Sequence, residues 1–165
     1  MSGLLDIHGN ALDEAYLTLA DDAALPADGA VLVSLARWQA DAAALTSRMA
    51  PVAVKLPNTA DVLTLDAALL ARPLLVLDFP TFADGRAYSQ ARRLRERCGY
   101  VGRLRATGGA VVLDQLVMLL RNGFDEVQLR ADQSLTQAAD ELKRLRDPAY
   151  QPDALQSRAV FALRR

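Results

Sequence analysis

The sequence is poor in the side chains that carry redox and metal chemistry. Its 165 residues include one cysteine, Cys98, and one histidine, His8. A single cysteine cannot close an internal disulfide, and an iron–sulfur cluster takes four thiolates, so neither is expected within one chain. A site built on several imidazoles is excluded in the same way, and no resident metal or other cofactor is expected. Long apolar runs are lacking too. Ala110 to Leu113 ends at Asp114, and Leu116 to Leu120 ends at Arg121, far short of the roughly 18 residues that a membrane span needs. Asp6, Asp13 and Glu14 interrupt the N-terminal apolar residues, so no leader and a cytoplasmic location are expected. Neither sign of charge dominates: 19 Lys and Arg stand against 20 Asp and Glu. That balance offers no bulk attraction for DNA or an acidic membrane.

What is present is globular. Hydrophobic residues make up 52% and charged residues 24%, enough apolar side chain for the core of one domain. The first 29 residues read as an appendage, with Leu4, Leu5 and Ile7 turning at His8-Gly9-Asn10 into a short hairpin. An α/β domain is expected over 30–148, and a tail over 149–165 packed on it. Within the domain, apolar strands alternate with helices. Ala30–Leu35, Val52–Leu56, Leu74–Asp78, Gly102–Ala106 and Glu126–Arg130 read as strands. Helices are expected over Arg37–Arg48, from Asn58 or Thr59 to Ala71, through Cys98, over Ala110–Arg121, and from a Ser134 cap to Asp147-Pro148. Such alternation implies a parallel sheet with right-handed crossovers. The chain is short of the roughly 250 residues of a complete eight-unit barrel. An open doubly wound sheet is expected, with a half-barrel as the alternative.

Ligands in parallel sheets sit beyond the carboxyl ends of the strands. Arg37, Lys55, Asp78, Arg105 and Arg130 fall at or near those ends. Four cations and one carboxylate on one rim, beside helix N-termini, suit an anionic small molecule. In Phe79–Arg86, Asp84 can cap the following helix, Gly85 permits close approach, and Arg86 opposes the helix dipole, which suggests a partner or ligand for it. A lyase or isomerase would instead use Lys55 as Schiff-base or electrostatic residue with Asp78 as acid–base partner. Residues 85–105 hold seven arginines and one glutamate, a face that could dock an acidic protein. With only Tyr88 and Tyr100 close by, it is a poor nucleic-acid platform. A plain protein-interaction module is the third reading, and the apolar 110–121 helix would suit a core or a contact between copies. No catalytic motif is complete: Thr107-Gly108-Gly109 fits no nucleotide fingerprint, Ser89 has no histidine near it, and Cys98 at a helix end reads as inert.

Several of these segments carry a resemblance. Phe79-Pro80, the run Asp84-Gly85-Arg86-Ala87-Tyr88-Ser89-Gln90-Ala91-Arg92, Leu94-Arg95-Glu96-Arg97 and Gly99-Tyr100 resemble an uncharacterised bacterial family. So do Leu104-Arg105-Ala106, Asp114-Gln115 and Gly123-Phe124-Asp125. It is domain-of-unknown-function family 934, and the resemblance covers roughly residues 28–150. Members carry an oxidoreductase label tied to sulfite reduction, so the resemblance implies an accessory of assimilatory sulfite reduction and cysteine biosynthesis, with sulfite reductase components as partners. It implies no demonstrated reaction. This chain departs from the family pattern after Gly109, at Leu113, where relatives have arginine, and at Asn122, where they often have cysteine.

Overall fold

A computed structural model of the chain describes residues 3–145. Seven strands form one curled sheet: β1 (Leu4–Asp6), β2 (Leu17–Thr18), β3 (Val31–Ser34), β4 (Val52–Leu56), β5 (Leu74–Asp78), β6 (Arg103–Thr107) and β7 (Glu126–Gln128). Their spatial order is β1-β7-β6-β5-β4-β3-β2, and every pair is parallel except β1 with β7. From β2 to β7 the order is therefore sequential. A doubly wound sheet reverses its order at a switch point and carries helices on both faces. This sheet has no reversal, so the half-barrel, the second of the two expected arrangements, is the one formed.

The core shows the same one-sidedness. Among the described residues five helices follow the strands: α1 (Leu35–Ser47), α2 (Ala67–Leu70), α3 (Arg86–Glu96), α4 (Leu116–Arg121) and α5 (Leu135–Arg144). Their buried residues, Trp38, Leu45, Leu69, Ala87, Ala91, Leu94, Leu116, Leu119, Ala138 and Leu142, share one cluster with Val33, Val54, Leu75, Leu77, Ala106 and Val127. The alternate strand positions face inward. Leu32, Ala53, Leu74 and Val76 form a separate small cluster closed by Tyr16. Side chains alternate across a strand, so Lys55, Asp78, Arg103, Arg105 and Glu126 also belong to this concave face.

Local chemistry accounts for most boundaries and for two corrections. Ser34 caps α1 by accepting from the Arg37 N–H at 2.9 Å. Ser134 caps α5, and Gly99 ends the α3 region with φ 64°, a conformation open to glycine. The helix expected from Asn58 or Thr59 to Ala71 is broken into a 3-10 turn at Val62–Thr64 and the single turn of α2. Asp61 and Asp66 each accept a backbone N–H, from Leu63 at 3.1 Å and Leu69 at 2.7 Å, and so start two short elements where one was expected. The helix expected over Ala110–Arg121 begins only at a 3-10 turn, Leu113–Gln115, because Ala110 and Val111 bury themselves as loop residues.

Residues 1–29, read above as an appendage, supply both edge strands. The expected hairpin forms, with Leu12 N–H donating to Leu4 O at 3.0 Å and Leu5 bridging Ala11. Its first strand then pairs with β7. The tail from Ala149, with its expected packing, lies outside the described residues. Among the described residues no helix is long and apolar enough to cross a membrane.

Candidate functional site

In register, Ser34 faces Lys55, and Asp78 faces Thr107. These residues line the carboxyl end of the concave face, the mouth of the half-barrel. There Lys55 Nζ lies 2.9 Å from Asp78 Oδ1, with 44% of the lysine and 25% of the aspartate side chain exposed. Ser34 Oγ donates to Asp21 Oδ1 at 2.6 Å. Thr107 Oγ1 donates to Gln128 Oε1 at 3.1 Å across the same layer. A cleft of about 390 Å³ opens here between Asp21, Ser34, Lys55 and Asp78 on the polar side and Leu35, Ala36 and Pro57 on the apolar side. Gly108 closes the far rim with φ 118°. A Cβ there would fall 2.4 Å from Phe79 O, so only glycine lets the two loops meet. The Thr107-Gly108-Gly109 turn therefore serves backbone packing.

The other expected rim cations are occupied. Arg37 donates to the carbonyls of Asp21 at 2.6 Å and Ala23 at 2.9 Å, and pairs with Asp41. Arg105 sits in the middle of β6, 3% exposed, with Nε 2.7 Å from Glu126 and Nη1 2.6 Å from Glu14. Arg103 completes this network on Glu126 at 2.5 Å. Arg130 pairs with Asp132 at 2.6 Å and donates to Gly109 O at 3.0 Å. Arg37 and Arg130 each pair with one carboxylate, and Arg103 and Arg105 share Glu126, with Glu14 also on Arg105, so these charges are offset within the chain.

Arg86 does not reach the mouth either. Its guanidinium turns back on Asp84, with Nη2 to Oδ2 at 2.6 Å, and Asn58 Nδ2 donates to the same carboxylate at 2.6 Å. The Arg86 side chain holds Asp84 well below the usual carboxylate range, at about 2. Gly85 is the residue before α3 and makes no side-chain cap. The structure thus brings Lys55 and Asp78 together, and leaves Arg37, Asp84, Gly85, Arg86, Arg105 and Arg130 apart from that pair.

Sequence reasoning missed Arg95. It belongs to the arginine run read as a docking face, yet only 7% of its side chain is exposed. Its guanidinium donates to Tyr100 O at 2.8 Å, Gly102 O at 2.7 Å, Gly123 O at 2.9 Å and Asp125 Oδ2 at 2.6 Å. Asp125 in turn accepts from Leu104 N–H at 2.7 Å. The Tyr100 hydroxyl donates to Arg72 O at 2.9 Å, and burial raises its pKa. Period was the available signal: Arg95 follows Ala91 by four and precedes Gly99 by four, on the flank of the apolar stripe. Elsewhere, Tyr88 donates to buried Gln115 at 2.8 Å, and burial pushes the phenol up to about 12. That bond gives the buried Gln115 amide oxygen its partner. Cys98 packs partly buried with its thiol raised by desolvation. Among the described residues no three His, Cys, Asp or Glu side chains converge as a metal site.

The fold and its mouth define the class: a parallel-stranded α/β half-barrel whose carboxyl end carries one lysine–aspartate pair in an open cleft. The chain belongs to the family described as bacterial protein of unknown function (DUF934), which it matches over residues 53–161. No curated protein and no solved structure matches it.

Proposed function

We propose that this chain is a cytoplasmic accessory of assimilatory sulfite reduction whose working surface is the half-barrel mouth. The pathway comes from the family resemblance; the surface comes from the Lys55–Asp78 pair at 2.9 Å. That pair is the single observation that carries the assignment. It stands where parallel sheets place their ligands, and its exposure leaves Lys55 free to meet a ligand's anionic group. Lysine is a point charge with three rotatable donors, so a second partner can be added without breaking the first. Docking to a sulfite reductase component would use the exposed face of α3 and Phe82, which is 68% exposed beside the mouth.

The experiment has two arms. A deletion strain should grow on cysteine and fail or slow on sulfate, and tagged protein should co-purify with sulfite reductase. A Lys55→Ala chain should fail to restore growth while remaining folded. Normal growth on sulfate together with no association would end this reading.

The same pair supports a lyase or isomerase as the second reading. Asp78 Oδ1 holds Lys55 Nζ at 2.9 Å, so Lys55 would act as an electrostatic catch for a ligand's anionic group before it acted as a Schiff-base nucleophile. Borohydride treatment with small carbonyl compounds should then leave Lys55 without a covalent adduct. A trapped adduct at Lys55 would reinstate the nucleophile.

A further inference from the structure

If the mouth is the working surface, the charge of its walls narrows the ligand class. Three ionisable side chains line the cleft: Asp21, Lys55 and Asp78. One cation against two carboxylates leaves it net −1. The neighbouring cation, Arg37, is balanced by Asp41 and engaged by loop carbonyls, and Arg130 is balanced by Asp132. Asp21 is held in place through Ser34, whose hydroxyl donates to it while accepting from the Arg37 N–H. Asp78 meets Lys55 through Oδ1.

A bare oxyanion entering this cleft adds like charge to a negative wall. A simple amine pairs with a carboxylate and leaves Lys55 unused. A molecule with both charges fits each demand: its anionic group takes the remaining Lys55 donors, and its ammonium goes to Asp21 and Asp78. Leu35, Ala36 and Pro57 give a short apolar group a dry wall. We propose that the half-barrel mouth binds a small zwitterion of the α-amino acid type, held between Lys55 and the Asp21–Asp78 pair. This assignment rests on the mouth being the working surface.

The test is a titration of the full chain, followed by amide NMR shifts, with L-alanine, acetate, ethylamine and sulfite as separate probes. Saturable shifts at Ser34, Lys55 and Asp78 are expected with alanine, at an affinity at least ten times that of acetate, ethylamine or sulfite. Asp21→Asn should weaken alanine at least ten-fold and leave acetate no weaker, because it removes a carboxylate that only an ammonium uses. Ser34→Ala, which frees Asp21 without removing its charge, should weaken alanine less than Asp21→Asn does. Acetate or sulfite binding as tightly as alanine overturns the zwitterion and leaves the mouth as a working surface. An alanine affinity indifferent to Asp21→Asn does the same. No shift at the mouth with any probe overturns both, while the growth assay judges the pathway separately.

Discussion

The two ends of the half-barrel hold a positive charge in opposite ways. At the N-terminal ends of β6 and β7, the Arg95 guanidinium is enclosed by the carbonyls of Tyr100, Gly102 and Gly123 and by Asp125. At the carboxyl end, Lys55 has Asp78 as its ion-pair partner and keeps much of its length in water. The first arrangement satisfies a planar fork of donors and ties two loops to one side chain. The second leaves donors free. Rigid satisfaction at one end and unfilled capacity at the other is the division expected of a scaffold and a site. It also bears on the family motif. Leu94-Arg95, Gly99-Tyr100, Leu104 and Gly123-Phe124-Asp125 meet in the closed end, so these residues of the motif encode the fold. They carry no sign of a reaction.

Substitution at the closed end should break this contrast most strongly. Arg95→Ala leaves Asp125 and three carbonyls short of a partner, which costs about 3–5 kcal/mol for a buried pair broken on one side. A chain of this length should then melt roughly 10 °C lower, read by circular dichroism. A melt within 2 °C of the parent, on the order of 1 kcal/mol or less, would show that the enclosure is not structural. Glu126→Gln should come next. Its carboxylate is 2% exposed beneath both Arg103 and Arg105, so two guanidinium groups lose their shared counter-charge and about 2–3 kcal/mol goes with it.

At the mouth the expected stability effects are small and the functional ones large. Lys55→Met and Asp78→Asn should each change stability by less than about 1 kcal/mol, the range of exposed ion pairs, measured by urea unfolding. Either should abolish the growth that the parent chain restores on sulfate. A large loss of stability from either would make the pair a structural strut and remove the contrast between the ends.

The smallest effect concerns pH. Asp84 is depressed from 3.8 to about 2 by the Arg86 side chain, so its contribution to stability is full above pH 3.8 and is lost as the pH falls through 2. NMR titration should find Asp84 still ionised near pH 3, and Asp84→Asn should flatten the stability profile between those two values. An ordinary Asp84 titration near 3.8 would show Arg86 released from it.

How much of this was legible in the sequence follows from what each feature depends on. Val52–Leu56 and Leu74–Asp78 read correctly because Val52–Val54 and Leu74–Leu77 are apolar at successive positions, as strands buried on both faces require. α3 and α5 read correctly because apolar residues at steps of three and four mark one buried face. The break at Asp61 and Asp66 was missed, since a capping carboxylate looks like any exposed acid until the chain turns around it. The Lys55–Asp78 pairing was named from strand ends alone, whereas Arg105, chosen by the same rule, lies mid-strand under Glu14, 91 positions away in sequence.

The sequence by itself determined the alternation of strand and helix, because both periods of burial are local and need only neighbouring residues to be read. Tertiary structure alone decided that every helix covers the same face, because two strand orders share one sequence pattern and differ only in where each crossover lands. Strand register and loop closure likewise decided which arginines would be neutralised. Arg95 and Arg105 found their carboxylates across the sheet or in a neighbouring loop, a pairing that charge counted along the chain cannot show, while Arg37, Arg86 and Arg130 took acids two to four positions away.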